Sequence, residues 1–413
     1  MQITFIAALL LSTLNSVADD PPRPNPDNPV DYVEWINAKY GRDGTENAAE
    51  QYDAAAAAYL DDKEALKILS ASKEAGWTKR DLEVIRSWIA ANEKCLSVFT
   101  GATGVRHCYF KLKLSGKQLV ESFDRSPHPV RRVARLLTAR AKLKLNEGDW
   151  RGAVDDCAAI RRFGHHLMSQ PSLLDYLAGV GATAWCYDVL LEVPRRAAEG
   201  ADYAALVKKV RKFDRPISLR PLRQLETEKL ILWDLIQRLM RDTDADGKLD
   251  HIEKAAIKPV TLQSVIAETE EALDRIRKAF TSDYETANRQ SEQAERWLSS
   301  RKSSLAGLLL TNLTRFARTQ RKMKAERNAV RVVLRLHAYY AEHGKWPKTL
   351  ADATKGASSA IRRDLFSGKD MIYRIVNGQP LLYSVGVDGD DDGGKPAADG
   401  KRWSDNGDAV FWP

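Results

Sequence analysis

The sequence predicts a mainly α-helical protein that ends in a small α+β region. Between about residue 30 and residue 340, apolar residues recur at the spacing of amphipathic helices. After Gly344–Pro347 the pattern changes to short runs of β-prone residues, and Asn377-Gly378 separates two of these runs. This dipeptide is typical of a two-residue hairpin turn. We therefore expect an irregular domain of helical hairpins over residues 30–325 and an α+β domain over residues 326–413.

The N-terminal segment has the features of a secretory signal peptide over residues 1–18. An apolar run, Phe5–Leu11, precedes a small-x-small cleavage site that ends at Ala18. No Lys or Arg comes before Arg23, so an uncleaved membrane anchor is the alternative. Residues 19–29 are rich in proline and are expected to form an extended linker. No later segment is apolar enough for a membrane span, so we expect a secreted or periplasmic chain.

The helical domain begins with an Ala-rich segment, Ala49–Leu60, and an amphipathic one, Lys79–Glu93, which carries Trp88 on its apolar face. Longer periodic segments follow at about 127–147, 150–167, 171–192 and 282–340. Val98–Leu114 is the least helical part of this domain, because it is rich in β-prone residues.

Two of the long segments are joined by a turn of distinctive composition. Leu136–Leu145 leads into Gly148–Trp150, and Ala153 then permits close approach of the next helix. This arrangement resembles the helix-turn-helix unit of tetratricopeptide repeats, which implies two antiparallel helices. Lys144 stands where that family has a large apolar residue, and no second copy follows at the repeat period. We expect one such hairpin inside an irregular helical domain.

The strongest motif is a run of twelve residues, Asp242–Glu253, which fits the EF-hand calcium loop. Calcium takes six to eight oxygen ligands, and this loop supplies them from positions 1, 3, 5, 7, 9 and 12 around a glycine at position 6, here Gly247. The predicted ligands are the carboxylates of Asp242, Asp244 and Asp246, the backbone carbonyl of Lys248, Asp250 directly or through water, and Glu253. An Asp-rich turn without a metal is the alternative.

The residues around this loop indicate how it is used. The preceding segment, Glu226–Met240, is predicted to be an amphipathic helix with one apolar face, formed by Leu232, Leu235, Ile236 and Leu239. Calcium sensors normally have an apolar residue directly before the first ligand, whereas this chain has Arg241, and Pro259 soon interrupts the exit helix. These departures favour a single structural calcium site over a sensor.

The four cysteines are expected to form disulfides or to be buried thiols, since an exported chain meets an oxidising compartment. Three pairings are possible. Proximity in sequence favours Cys95 with Cys108 and Cys157 with Cys186. Neither pair has the CxxC spacing of a redox or zinc site.

Charge and motif content limit the other functions. The formal net charge is +8, but the basic residues are spread along helices, and export argues against a nucleic-acid partner. The sequence has no HExxH, nucleophile elbow, phosphate loop or dinucleotide fingerprint. Adjacent His165 and His166 would point about 100° apart on a helix and could not easily share a metal. No residue is therefore assigned a catalytic role.

A second acidic segment lies near the C-terminal end. Asp388, Asp390 and Asp392 precede Gly393 and repeat the aspartate spacing of the first loop, which would gather three carboxylates around one cation. Pro396 and the lack of an exit helix exclude an ordinary EF-hand. A solvated acidic turn without a metal is the alternative.

About the last 85 residues resemble the globular part of the G-type major pseudopilin of type II secretion. The resemblance is carried by Tyr340–Leu350, Asp364–Lys369, Tyr383–Gly389 and Asp408–Trp412. It implies a pseudopilin-like domain with calcium in its C-terminal loop. Asp388 and Asp408 are the best positional matches for the ligands, and Asp405 is a further candidate. A pilin begins with a leader and a long apolar helix, which this chain lacks before the domain, so filament assembly is not expected.

The arrangement as a whole also resembles a group of exported bacterial proteins that begin with segments like Asp31–Gly41 and Glu46–Ala49. We therefore expect an exported, calcium-binding helical scaffold or interaction protein. One alternative is a secretion-system accessory that docks on an envelope or secretion-system protein through its pseudopilin-like domain. The other is an unrecognised hydrolase with its site in the helical domain.

Overall fold

The computed structural model describes residues 20–42, 44–71, 76–113, 118–123, 128–197, 201–214, 222–241, 261–281, 284–301, 304–310 and 313–412. In these residues the protein is mainly helical, with a three-stranded antiparallel sheet near the C-terminal end, so the fold class is confirmed at this level. The predicted signal peptide and the EF-hand-type loop at 242–253 lie outside the described residues. No helix of the described part is long and apolar enough to cross a membrane.

The helices of the first half are α1 (Tyr32–Tyr40), α2 (Ala48–Ala57), α3 (Lys63–Ala71), α4 (Lys79–Ala91), α5 (Glu93–Ala102), α6 (His128–Asn146), α7 (Trp150–Met168) and α8 (Leu173–Arg196). Those of the second half are α9 (Tyr203–Phe213), α10 (Leu222–Arg241), α11 (Leu262–Thr281), α12 (Tyr284–Ser299), α13 (Leu305–Leu310), α14 (Leu313–His343) and α15 (Leu350–Ala353). Short 3₁₀ turns cover Leu119–Phe123 and Ser359–Ile361, and the strands are β1 (Ile372–Val376), β2 (Gln379–Ser384) and β3 (Ala409–Trp412).

Helices α6, α7 and α8 pack on one another where the periodicity predicts three long helices. Gly148 turns the chain between α6 and α7 with a φ of 83°, and Asp149 caps α7 by accepting a hydrogen bond from the Gly152 N–H at 2.9 Å. Helices α7 and α8 approach closely, because a Cβ on Gly179 would lie 2.5 Å from the Gly164 carbonyl oxygen. Helices α6 and α7 are thus consecutive helices, joined by this turn, that pack on each other.

The predicted segment Lys79–Glu93 is divided into α4 and the start of α5 by Asn92. Its buried side chain donates to the Leu60 carbonyl at 3.0 Å and accepts from the Leu60 N–H at 2.8 Å. This contact joins residues far apart in sequence, so the local pattern could not place the break. Helix α5 also covers the first residues of Val98–Leu114, which the sequence assigned to the least helical part.

Helices α1, α10, α11 and α13 contribute to a second apolar core beside the main one. Leu232, Leu235 and Ile236 of α10 are buried in it as predicted. The proline-rich segment lies against α10, where the Gln237 side chain accepts from the Val30 N–H at 3.0 Å and donates to the Val30 carbonyl at 2.8 Å.

The sheet has the order β1-β2-β3, and both pairs are antiparallel. Asn377 and Gly378 form the β1–β2 turn with φ values of 51° and 78°, which confirms the predicted hairpin. Helix α14 packs against β2 and β3, and also against α8 and α9. The predicted domain boundary at residue 325 falls inside this helix, whose apolar residues share the main core with Leu382 and Phe411 of the sheet.

The predicted disulfides are wrong. No disulfide bond joins any of the four cysteines, and all four are buried. The Cys95 Sγ donates to the Ala55 carbonyl at 3.1 Å, and the Cys157 Sγ faces the Cys186 backbone carbonyl at 3.8 Å. The thiols therefore fill apolar space between packed helices. This is the alternative of buried thiols that the sequence also allowed.

Candidate metal centre in the C-terminal loop

The candidate site lies in the segment that connects β2 to β3, residues 385–408, which we call the Asp-rich loop. Its first end is fixed by Asp364, which is 1% exposed. One carboxylate oxygen of Asp364 accepts from the Ser384 Oγ at 2.7 Å, and the other accepts from the Val385 N–H at 3.2 Å. A buried carboxylate is stable only when such donors replace water, so these bonds hold the loop where it leaves β2.

Glycines allow the two ends of the loop to meet. Gly386 has a φ of 78°, and a Cβ at this position would lie 2.6 Å from the Gly407 carbonyl oxygen. Gly394 has a φ of 85°, and a Cβ there would lie 2.8 Å from the Leu381 side chain. Both positions combine a left-handed backbone with contact too close for any side chain.

Three exposed aspartates of the loop converge. Asp388, Asp390 and Asp392 each place a carboxylate oxygen so that all three oxygens lie within 4.8 Å of one another. Ionised carboxylates at this separation repel one another, and a divalent cation between them would turn that repulsion into attraction. The structure thus brings together the three residues that the Asp-x-Asp-x-Asp spacing predicts.

Asp391, in the middle of the same run, has a different role. Its Oδ1 accepts from the Tyr383 hydroxyl at 2.8 Å, and its Oδ2 accepts from the Arg374 Nη2 at 3.1 Å. The hydrogen bond from Tyr383, followed by one from the Gly393 N–H, lowers the pKa of Asp391. This residue ties the Asp-rich loop to strands β1 and β2.

Asp408 lies at the other end of the loop and is 1% exposed. Its Oδ2 accepts from the Gly394 N–H at 2.7 Å, whereas its buried Oδ1 makes no hydrogen bond with the described part of the chain. Burial raises the pKa of Asp408, and the nearby charges of Asp391 and Asp392 raise it further, whereas the backbone N–H groups of Gly394 and Asp392 lower it. An acceptor left without a donor in acidic surroundings suits a cation.

Asp388 bonds to the residue that precedes Asp408 in the chain. The Asp388 Oδ2 accepts from the Gly407 N–H at 2.8 Å, directly before Asp408. Asp405, the remaining candidate of this loop, is exposed and does not belong to the three-carboxylate group. Its charge acts on Lys322 of α14, where it opposes the lowering of the lysine pKa by burial.

The other predicted ligands lie outside the described residues, namely Asp242, Asp244, Asp246, Lys248, Asp250 and Glu253. The helices that flank them, α10 and α11, pack on each other in the second core.

An anchor that sequence reasoning missed holds the loop on the helices. The Arg402 Nη1 donates to the Asp188 carboxylate of α8 at 2.9 Å, and the Trp403 Nε1 donates to the Glu326 carboxylate of α14 at 2.7 Å. Glu326 is buried, and burial followed by the charge of Asp188 raises its pKa to about 7. No local signal marks these partners, because they lie 77 to 214 residues apart.

The donor set defines the chemistry available. Only carboxylate oxygens converge in the three-aspartate group. Hard cations such as calcium and magnesium prefer such ligands, whereas zinc and copper prefer nitrogen and sulfur.

The adjacent histidines of α7 lie in different surroundings. His166 is buried and shares a 2.9 Å hydrogen bond with the Tyr52 hydroxyl through its Nδ1, and His165 is exposed. Burial lowers the pKa of His166 to about 4.

Comparison with known proteins finds no matching family, no matching curated protein and no matching solved structure.

Proposed function

We propose that the protein is an exported calcium-binding scaffold in which one calcium ion closes the Asp-rich loop. The observation that carries this proposal is the convergence of the Asp388, Asp390 and Asp392 carboxylates within 4.8 Å. The buried Oδ1 of Asp408, which no described donor satisfies, supports it independently.

Calcium fits the loop better than magnesium does. Calcium accepts irregular shells of six to eight oxygens, whereas magnesium requires near-ideal octahedral geometry and gives up its waters reluctantly. Three exposed carboxylates on a turn leave room for water and carbonyl ligands and impose no octahedron. Extracellular calcium also saturates weak sites, so an exported chain needs no tight affinity.

The role assigned to the ion is structural. Asp388 bonds to Gly407, and Asp408 bonds to Gly394, so the acidic residues already bridge the two ends of the loop. An ion that binds only the folded loop stabilises it by about 2.7 kcal/mol at a hundredfold excess over its Kd. The same closure keeps Arg402 and Trp403 on α8 and α14, where a stable surface for a partner would be formed.

We extend the proposal to the EF-hand-type loop at 242–253, which would hold a second calcium between α10 and α11. The finer fold assignments are proposals as well: a tetratricopeptide-like hairpin for α6 and α7, and a pseudopilin-like domain for the C-terminal region. Helix α14 packed on a three-stranded sheet that carries an acidic loop supports the latter. It also favours a second candidate function, an accessory that docks on a secretion-system component.

Calorimetric titration of calcium into the EDTA-treated full chain tests the metal assignment. We expect two binding events. A double variant, Asp388→Asn with Asp390→Asn, should lose one of them, and Asp242→Asn with Glu253→Gln should lose the other.

The matched control is Asp399→Asn in the same loop, where the exposed carboxylate bonds only locally, to Ser404 and Lys401. This control should keep both events. If the Asp388/Asp390 variant bound calcium with unchanged stoichiometry, the Asp-rich loop would not be a calcium site. Affinity capture from envelope extracts by the calcium-loaded chain and by the same variant then tests the docking function.

A further inference from the structure

A cavity of about 440 Å³ lies where helices α11, α12 and α14 meet the segment 363–369. The helices supply an apolar wall that includes Phe280, Ala287 and Ala317. This volume is in the range of small-molecule sites, which are mostly apolar with a few polar groups that orient the ligand.

Cationic side chains line the rest of the cavity. Arg321 and Lys324 come from α14, and Arg363 and Lys369 come from the segment that follows the second 3₁₀ turn. They reach the cavity from two elements that are distant in sequence, so the fold gathers four cations around one space.

Asp364 is the one carboxylate among the described residues that line the cavity, against four cations. Asp364 is buried, and both of its oxygens are engaged by donors of the Asp-rich loop and of its own turn, including Ser384, Val385 and Ser367. Asp364 is thus held as a structural acceptor, and its single charge leaves the four lining cations in excess.

Two of these cations donate hydrogen bonds to neutral acceptors. The Arg363 Nε donates to the Gly368 carbonyl at 3.1 Å, and the Arg321 Nη1 donates to the Asn288 side-chain oxygen. Lys324 is half-buried and forms no ion pair within the described part of the chain. Burial lowers its pKa, and the charge of Arg321 lowers it further. A bound anion would relieve both effects.

We propose that this cavity binds a small organic anion, with its carboxylate, phosphate or sulfonate group at Lys324 and Arg363 and its apolar body against Phe280 and the alanines. Charge and shape are both required, because Phe280 and the alanines offer no hydrogen bond to a polar ligand body, and the Gln320 Nε2 of the lining already donates to the Tyr176 hydroxyl. The site is separate from the Asp-rich loop and does not depend on the calcium proposal.

The test uses two dyes that share one apolar body. 1-Anilinonaphthalene-8-sulfonate carries an anionic group, and N-phenyl-1-naphthylamine is the same molecule without it. Fluorescence and calorimetric titration of the full chain should give one sulfonate dye per chain, with at least tenfold weaker binding of the neutral dye.

Variants locate the site. Lys324→Gln should weaken the sulfonate dye about tenfold and leave the neutral dye unchanged, whereas Arg318→Gln should change neither. Arg318 is an exposed cation on the same helix that does not line the cavity. Ala317→Leu, which fills the apolar side without altering charge, should weaken the sulfonate dye even if Lys324→Gln fails to fold. Circular dichroism verifies the fold of each variant.

Equal affinity for the two dyes in the unsubstituted chain would overturn the proposal. So would a loss in Arg318→Gln as large as that in Lys324→Gln, or undiminished sulfonate binding in a folded Ala317→Leu variant.

Discussion

The substitution Asp408→Asn separates the structural role of this side chain from its role toward a cation. Asparagine keeps an oxygen that can accept from the Gly394 N–H, a bond of 2.7 Å in the structure. It removes the negative charge and replaces the buried Oδ1 with an amide NH₂. The change is nearly isosteric, so packing in the loop should be preserved.

Without metal, we expect this variant to be as stable as the parent or more stable. The Oδ1 of Asp408 is buried without a hydrogen-bond donor from the described residues, and an unsatisfied buried polar atom costs about 1–3 kcal/mol. The new NH₂ lies near the charges of Asp391 and Asp392, which act on Asp408 in the parent. A hydrogen bond from the new NH₂ to one of these carboxylates should raise local stability by about 1 kcal/mol.

With calcium, the parent should be more stable than the variant. A hundredfold excess of calcium over its Kd should stabilise the parent loop by about 2.7 kcal/mol. The Gly394 amide of the parent should therefore exchange its hydrogen about 100-fold more slowly with calcium than without it. Asp408→Asn lacks one carboxylate of the acidic surroundings, and its calcium-dependent slowing should fall below about tenfold.

Hydrogen exchange followed by mass spectrometry on peptides that span residues 385–408 measures both effects, in EDTA and in calcium. Asp399→Asn is the control and should behave like the parent in both. The reasoning is refuted if calcium slows exchange equally in the parent and in Asp408→Asn. It is also refuted if the variant exchanges ten times faster than the parent in EDTA, because the carboxylate would then be needed for the fold itself.

Three further predictions concern the helices. Burial raises the pKa of Glu326 to about 7 from an ordinary value of 4.5, so the folded state holds the extra proton and stability should fall as the pH rises between these values. Glu326→Gln should flatten this dependence in urea unfolding at pH 5 and pH 7.5. Gly179→Ala should destabilise the protein by about 1–3 kcal/mol through overpacking against α7, whereas Gly181→Ala, with open space around it, should stabilise it by about 0.5–1 kcal/mol. All four cysteines should react as thiols in denaturant without reductant, since no disulfide joins them.

Each of these predictions has a contradicting result. A pH dependence that survives Glu326→Gln would mean that another group titrates. Glutamine fills nearly the same space as glutamate, so the comparison does not include a loss of packing. Equal unfolding midpoints for the two glycine variants would mean that α7 and α8 are not in close contact. Two or fewer reactive thiols, with a melting temperature that falls on addition of reductant, would show that a disulfide bond is present.

Much of the helical architecture could be predicted, because helical periodicity is a local property. The long segments near 127–147, 150–167 and 171–192 correspond to α6, α7 and α8. The apolar face of α10 was predictable in part, since Leu232, Leu235 and Ile236 are buried. Trp233, Asp234 and Gln237 are buried as well, which the spacing of apolar residues does not predict. The break at Asn92 was not predictable, because a distant backbone segment satisfies that side chain.

The candidate site was predictable in part. The spacing of Asp388, Asp390 and Asp392 indicates convergence, because a turn of a few residues can gather alternate side chains. The spacing cannot distinguish Asp391, which bonds to Tyr383 and Arg374, from its neighbours. Nor can it show that Asp408 is buried while Asp405 is exposed.

The sequence by itself determined where the long helices near 127–192 lie, where the Asn377-Gly378 hairpin turns and which aspartates share a turn. Each of these depends on a few consecutive residues and their backbone preferences. Only the tertiary structure decided that the cysteines stay unbridged and that Arg402 and Trp403 anchor the loop on distant helices. It also placed the cations of α14 and of segment 363–369 around one cavity. These features arise from contacts between side chains far apart in the chain, and their formation depends on how the helices pack.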